Sequence, residues 1–126
     1  RFAELREGFW MRPDNIDVDL GDGLGEHTRL LIARDDQPAE LAAKLWDLHG
    51  WAQTGHQLLA AMADAPDVPG RFAVAAAMVR HLRRDPVLPP ELLPPDWPGQ
   101  RIRSRYAEFA EELTARRDAG HEAVLR

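Results

Sequence analysis

The segment from Arg80 to Gly99 constrains the fold most, because six of the ten prolines of the 126-residue chain lie inside it. Proline fixes the backbone φ angle, removes an N–H donor and pushes the preceding residue towards an extended conformation, so the segment cannot be helical along its length. A disordered proline-rich linker would lack apolar residues. Here the prolines are interspersed with Val87, Leu88, Leu92, Leu93 and Trp97. We predict an ordered strap, residues 80–99, that packs against a helical core.

The composition is typical of a folded globular protein, with 44% hydrophobic and 29% charged residues. The chain has no cysteine, which excludes disulfides, thiolate metal ligands and a cysteine nucleophile. No apolar run approaches the roughly 20 residues that cross a bilayer, and no signal-peptide pattern opens the chain. We therefore expect a cytoplasmic protein with no membrane partner. Because the chain begins with Arg1 in a strand-like stretch, we expect it to be part of a longer protein.

The residues before the strap predict two strands and a helix. Residues 8–12 alternate, with Phe9 and Met11 on one face, which is typical of a strand. A second strand is expected over Thr28–Ala33, an apolar run rich in strand-compatible residues. A helix is expected to begin near Pro38, because acidic residues that can act as a cap come just before this proline.

An acidic, glycine-rich loop at residues 17–27 separates the two predicted strands. A calcium loop of the EF-hand type needs oxygen ligands at its first, third and fifth positions, glycine at the sixth and glutamate at the twelfth. Counted from Asp17, the fifth position is Gly21, the sixth is Asp22 and the twelfth is Thr28. Because the pattern fails, we predict a solvated turn and no calcium site.

Three amphipathic helices are predicted in the rest of the chain, each with a narrow apolar stripe that suits a small bundle. The first stripe comprises Leu48, Trp51, Ala52, Gly55, Leu58, Leu59 and Met62. The second begins after an N-cap at Asp67 and comprises Val68, Phe72, Ala75, Val79 and Leu82. The third follows the strap and comprises Ile102, Tyr106, Phe109 and Leu113. Gly120 is the expected end of that helix.

Several short motifs follow one another along the chain. Leu5–Pro13 reads Leu-Arg-Glu-Gly-Phe-Trp-Met-Arg-Pro, and Leu45–Leu48 reads Leu-Trp-Asp-Leu. The strap then carries Arg-Arg-Asp-Pro-x-Leu-Pro, Glu-Leu-Leu-Pro and Asp-Trp-Pro-Gly. In this order the motifs resemble a middle-domain strand, the passage into the C-terminal domain, and the C-terminal region of the PaaX family. That family comprises bacterial transcriptional repressors of aromatic-acid catabolism.

The resemblance implies an α+β, mostly helical fold. Residues 1–46 are expected to be a partial ferredoxin-like (Cas2-like) middle domain, and residues 47–126 a small helical C-terminal domain. The resemblance also implies a function without catalysis, as the effector-sensing and dimerisation portion of a repressor. Operator DNA is bound by an N-terminal winged helix, which we expect to lie outside this chain. We expect a homodimer with no cofactor, released from DNA by an aryl-coenzyme A thioester, for which phenylacetyl-coenzyme A is the type case.

A basic stretch stands out in a chain of net charge −5, because residues 71–105 hold seven arginines and three carboxylates. Guanidinium groups match phosphate oxygens in a bidentate way. The candidate phosphate-binding residues are Arg80, Arg83, Arg84, Arg101 and Arg105. A purely structural reading is also open. The first three arginines fall at a helix C-terminus, which favours cations, and Arg105 can pair with Glu108 or Glu112.

The remaining conspicuous residues are assigned structural roles. The predicted anchors are Trp10, Trp46, Trp97 and Pro86. The five histidines do not cluster at ligand spacing and no common catalytic motif occurs, so we predict no metal site and no catalytic residue. Two other functions remain open. One is an oligomerisation module without a ligand, and the other is an acyl-thioester enzyme, whose general base the sequence does not single out.

Overall fold

The computed structural model describes residues 2–15 and 27–125. Strands β1 (Ala3–Arg6) and β2 (Phe9–Met11) come first. They are followed by helices α1 (Pro38–Leu45), α2 (Leu48–Asp64), α3 (Val68–Leu82) and α4 (Gly99–Leu125). A 3₁₀ turn, Pro90–Leu92, lies inside the strap. The predicted α+β, mostly helical fold class is confirmed.

These elements form two compact units, and the strap is divided between them. The first unit contains the described residues up to Leu48 together with Pro86–Pro94. The second contains His49–Asp85 and the residues from Pro95 onward. The middle of the strap therefore packs with the first unit, whereas we predicted that the whole strap would pack on the helical core. The predicted domain boundary between residues 46 and 47 stays a prediction.

The first unit opens on a tight antiparallel hairpin. Ala3 pairs with Met11 and Arg6 with Phe9, with an irregular register between them. The turn passes through Gly8, whose φ of +81° lies in the region that glycine adopts without strain. The Gly8 N–H donates to Glu4 Oε1 at 3.2 Å, so the turn is closed by a side chain of β1. The strand predicted at residues 8–12 is confirmed as β2.

Helix α1 packs against β1 and against the 3₁₀ turn of the strap. Ala42 is its buried residue, at 2% exposure, and Leu88 of the strap is also buried in this unit. The helix begins at Pro38 as predicted, but no side chain caps the first turn. Asp35 Oδ1 instead accepts from the Gln37 N–H at 2.8 Å, just outside the helix.

The strand predicted over Thr28–Ala33 is wrong. These residues have no regular structure, and Leu30, Leu31 and Ile32 are 63%, 71% and 80% exposed. Strand propensity reflects packing on a pleated surface, and an apolar run becomes a strand only when a neighbour takes its N–H and C=O groups. Within residues 2–15 and 27–125, the only pairing is that of β1 with β2. The acidic loop tested for calcium lies outside the described residues, apart from His27.

The second unit is built on α2, α3 and α4. The core buries Trp51, Met62, Ala75, Met78, Ile102 and Phe109. The stripe predicted on α2 is confirmed at Trp51, Gly55 and Met62, which are buried. The cap predicted at Asp67 is also confirmed, because its Oδ1 accepts from the Gly70 N–H at 2.7 Å.

The end predicted for α4 is wrong, because the helix continues through Gly120 to Leu125. A glycine inside a helix costs only about 1 kcal/mol relative to alanine. The residues around Gly120 are mostly good helix formers, and a stop needs the left-handed conformation that this glycine does not adopt.

Candidate functional site

An ion pair in the second unit joins the end of α3 to the second turn of α4. The Asp85 side chain is only 4% exposed, and its Oδ2 accepts from Arg103 Nη2 at 2.5 Å. A buried carboxylate needs such compensation, because its transfer from water is costly. Arg103 is absent from the predicted arginine set. Its role could not be read from the sequence, because the pairing depends on how two helices separated by the strap come together.

A second connection holds the same region together from the side of α2. Trp51 Nε1 donates to the His81 carbonyl at 3.1 Å, and His81 Nε2 donates to the Trp51 carbonyl at 2.8 Å. The two rings stack with centroids 4.2 Å apart. Trp51 also stacks on Trp97, at 4.6 Å, which brings the strap's last residues to the start of α2 and the end of α3.

Helices α3 and α4 run antiparallel. Near the start of α3, Arg71 Nη2 lies 2.8 Å from Glu112 Oε1, in the middle of α4. Past the end of α3, Asp85 pairs with Arg103, near the start of α4. Later residues of one helix thus meet earlier residues of the other. The carbonyl end of α3 consequently lies beside the amide end of α4, where their opposite dipole charges partly offset each other.

Between these helices lies an apolar groove of about 120 Å³. Its walls are Phe72, Ala76 and Val79 of α3 and Tyr106, Ala110 and Leu113 of α4, and its floor includes the core residues Ala75 and Phe109. We call it the α3–α4 groove. Phe72 is 60% exposed and Tyr106 is 36% exposed. Both belong to the predicted apolar stripes, but they lie at the exposed edge of those stripes rather than in the core.

The signal for the groove was present in α3 as two apolar faces rather than one. Ala75, Met78 and Leu82 form the face that enters the core, and Met78 is fully buried. Phe72, Ala76 and Val79 form the neighbouring face, because their spacing of four and three residues repeats a helical turn. The predicted stripe mixed the two faces and left out Met78. The sequence alone could have shown that α3 has a wide apolar surface with small residues along one edge.

The predicted phosphate-binding arginines fall into two groups. Arg101 pairs with Asp96 at 3.0 Å, and Arg105 with Glu108 at 3.3 Å. Arg80, Arg83 and Arg84 are exposed at the end of α3, and their side chains have no hydrogen-bond or ion-pair partner among the described residues. The helical pairing predicted for Arg105 with Glu108 is confirmed. The phosphate-binding role of the five residues stays a prediction.

The predicted anchors differ in burial. Pro86 is buried, Trp46 is half-buried, and Trp97 is half-buried in the stack with Trp51. Trp10 is 60% exposed on β2. Trp51, which is not among the predicted anchors, makes two hydrogen bonds and two ring stacks in the second unit, whereas Trp97 makes the stack with Trp51.

Within residues 2–15 and 27–125, no group of histidine and acidic side chains could hold a metal ion. His56 Nε2 lies 3.7 Å from Asp96 Oδ2, and His81 is held by Trp51. The described residues thus provide an apolar groove and exposed guanidinium groups, and both can bind a ligand.

Replacing Asp85 with asparagine is expected to lower the free energy of unfolding by roughly 1–2 kcal/mol, because it weakens a charge-assisted hydrogen bond to Arg103. The matched control is Asp96→Asn, at a carboxylate that is 73% exposed and pairs with Arg101. Exposed pairs contribute about 0–1 kcal/mol. Urea unfolding followed by circular dichroism measures both. Equal losses in the two variants would contradict the role assigned to burial of Asp85.

Fold and surface together define a mostly helical α+β protein with an apolar groove and a neighbouring basic surface. The chain belongs to the PaaX-like family, since residues 46–123 match the PaaX-like protein C-terminal domain. Its fold is similar to a solved structure of the uncharacterized protein Rv0674 from Mycobacterium tuberculosis, with 60% identity and a TM-score of 0.88. That match covers 94% of this chain and 50% of the other, so this chain spans about half the length of its relative.

No curated protein matches the chain. Among the described residues, none of the helices is both long enough and apolar enough to cross a membrane.

Proposed function

We propose that this chain is the effector-sensing and dimerisation portion of a PaaX-like transcriptional repressor of aromatic-acid catabolism, acting in the cytoplasm. The observation that carries the proposal is the family match over residues 46–123. In the proposed mechanism, operator DNA is held by a winged helix outside these 126 residues. An aryl-coenzyme A thioester binds this portion and weakens the hold on DNA. Such coupling requires that the thioester have different affinities for the DNA-bound and released states.

The surface of the second unit supports a ligand of this chemistry. Coenzyme A carries several phosphates, and Arg80, Arg83 and Arg84 are exposed without a carboxylate partner among the described residues. Arginine is well suited to phosphate because its planar fork forms paired hydrogen bonds. Arg101 and Arg105 already pair with carboxylates, so in this proposal they contribute less.

Thermal unfolding of the chain with phenylacetyl-coenzyme A, free coenzyme A and phenylacetate tests the proposal. A ligand at about 100 times its dissociation constant adds roughly 2.7 kcal/mol, which raises the melting temperature of a domain of this size on the order of 10 °C. We expect a clear rise with the thioester and a smaller one with free coenzyme A. A cooperative transition that no thioester moves would overturn effector sensing by these residues. It would favour the other candidate, a structural oligomerisation module.

The same samples separate sensing from catalysis. A sensor returns its ligand unchanged, so we expect the thioester to be recovered intact after incubation, as measured by chromatography. Progressive release of free coenzyme A, above the rate without protein, would support the acyl-thioester enzyme instead.

A further inference from the structure

The α3–α4 groove has the size and lining of a site for one aromatic ring. Its volume of about 120 Å³ is comparable with the roughly 150 Å³ apolar cavity that binds benzene in another protein. Phe72 and Phe109 meet edge to face at 6.5 Å, and because Phe109 is only 2% exposed, Phe72 is the ring of this pair that a third ring can pack against. An apolar surface that includes Phe72 at 60% exposure is costly to leave in water, which favours an occupant.

A charged surface continues this groove at one end. Phe72, Ala76, Val79 and Arg83 follow at intervals of four, three and four residues, so all four lie on one face of α3. Arg83 is the C-cap of α3 and keeps helical backbone angles, φ −66° and ψ −20°, so the register of the face holds to that point. Arg80 and Arg84 flank it. The described residues provide no carboxylate for any of the three arginines.

The opposite end of the groove is less suited to an anion. Arg117 continues the α4 face of Tyr106, Ala110 and Leu113, but it stands there as a single exposed arginine on that face. Glu112 lies nearby on α4, paired with both Arg71 and Arg116. Its carboxylate already engages two of the arginines at this end, so Arg71 and Arg116 are less available to a phosphate than the arginines at the end of α3. The two ends of the groove therefore differ in charge: its centre is apolar, and its end at Arg83 is cationic.

We propose that the α3–α4 groove binds the aryl group of an acyl-coenzyme A, with the phosphates at Arg83, Arg80 and Arg84. This assignment rests on the proposed function. It adds the location of the site that distinguishes one acyl group from another. An amphipathic anion with an aromatic end matches this surface, because its ring suits the apolar groove and its phosphates suit the three exposed arginines. A second copy of the chain is the alternative occupant that the test below separates.

The test is calorimetric titration of the chain and four variants with phenylacetyl-coenzyme A and free coenzyme A. Ala76→Leu fills the groove, and we expect it to weaken the thioester about tenfold or more while leaving coenzyme A unchanged. Its matched control is Ala73→Leu, which adds the same side chain at an exposed position off the groove face. Arg83→Gln is expected to weaken both ligands several-fold, whereas Arg34→Gln, at an exposed arginine of the first unit, changes neither.

The outcomes separate the groove from the proposed function. If the unaltered chain binds no thioester, the proposed function fails and the groove assignment fails with it. If it binds the thioester and Ala76→Leu binds equally well, the groove assignment alone is overturned. Phe72→Ser, at an exposed wall residue, replaces Ala76→Leu should that variant not melt cooperatively. Sedimentation of the same samples tests the second-copy alternative, because a dimer that Phe72→Ser dissociates, with thioester affinity unchanged, would overturn the assignment.

Discussion

Replacing Trp51 with alanine is expected to lower the free energy of unfolding by about 3–5 kcal/mol, the range for truncating a large buried aromatic residue. Trp51 is 8% exposed and stacks on His81 and Trp97. Truncation also removes the indole donor to the His81 carbonyl, which then keeps its hydrogen bond from the Arg84 N–H. Losses of this size consume a large share of the 5–15 kcal/mol that stabilises a typical domain. Urea unfolding monitored by far-ultraviolet circular dichroism measures the loss.

The control for this prediction is Trp10→Ala, at an indole that is 60% exposed. It should change the free energy of unfolding by no more than about 1 kcal/mol, because exposed substitutions away from special contacts have small effects. Trp51→Phe keeps an aromatic ring and loses the Nε1 donor, so its loss should lie between those two. If Trp51→Ala and Trp10→Ala were equally mild, the stack with His81 would not be a source of stability.

Replacing Gly55 with alanine is expected to destabilise the chain by about 1–2 kcal/mol, although alanine is the better helix former. A Cβ at Gly55 would lie 2.8 Å from Pro98 Cγ and 2.9 Å from Ile102 Cδ1. Both neighbours are fully buried, so a shift that relieves the contact must displace other core atoms. Overpacking of this kind typically costs about 1–3 kcal/mol, which outweighs the gain in helix propensity. The melting temperature should fall by several degrees.

Gly120→Ala is the matched control, because it makes the same change in a helix where no atom lies within 4 Å of the added Cβ. Alanine should raise stability there by a few tenths to about 1 kcal/mol. The two substitutions are therefore expected to have opposite signs in the same thermal-unfolding experiment. A gain at both positions would contradict the close approach of α2 to Pro98, and a loss at Gly120 would contradict the continuation of α4 past that residue.

Local chemistry was enough to predict the elements that depend on neighbours in sequence. Asp67 caps α3 because its carboxylate reaches an amide three residues away, and the stripe from Trp51 to Met62 follows from helical period alone. Thr28–Ala33 illustrates the limit, because a strand needs a partner that the run itself does not specify. Gly120 illustrates a second limit. The helix penalty of one glycine is small beside the helix propensity of its neighbours, so a glycine alone does not predict where a helix ends.

The candidate site was only partly predictable for a related reason. The basic stretch was visible from composition, but its division into paired and unpaired arginines depends on which face each residue occupies. Arg101 meets Asp96 and Arg105 meets Glu108, while Arg83 extends the groove. The groove itself arises where α3 and α4 meet without filling the space between them. The sequence of a single helix does not predict that space.

The stack of Trp51 on Trp97 has an optical consequence. Two indoles with centroids 4.6 Å apart and planes within 11° of parallel couple their electronic transitions, which gives a circular-dichroism couplet that vanishes when the rings separate. Both chromophores belong to the helical unit, whereas Trp10 and Trp46 belong to the unit that holds the hairpin. The couplet therefore reports on the helical unit alone. Its loss, compared with the change in total tryptophan fluorescence, shows whether the two units unfold together.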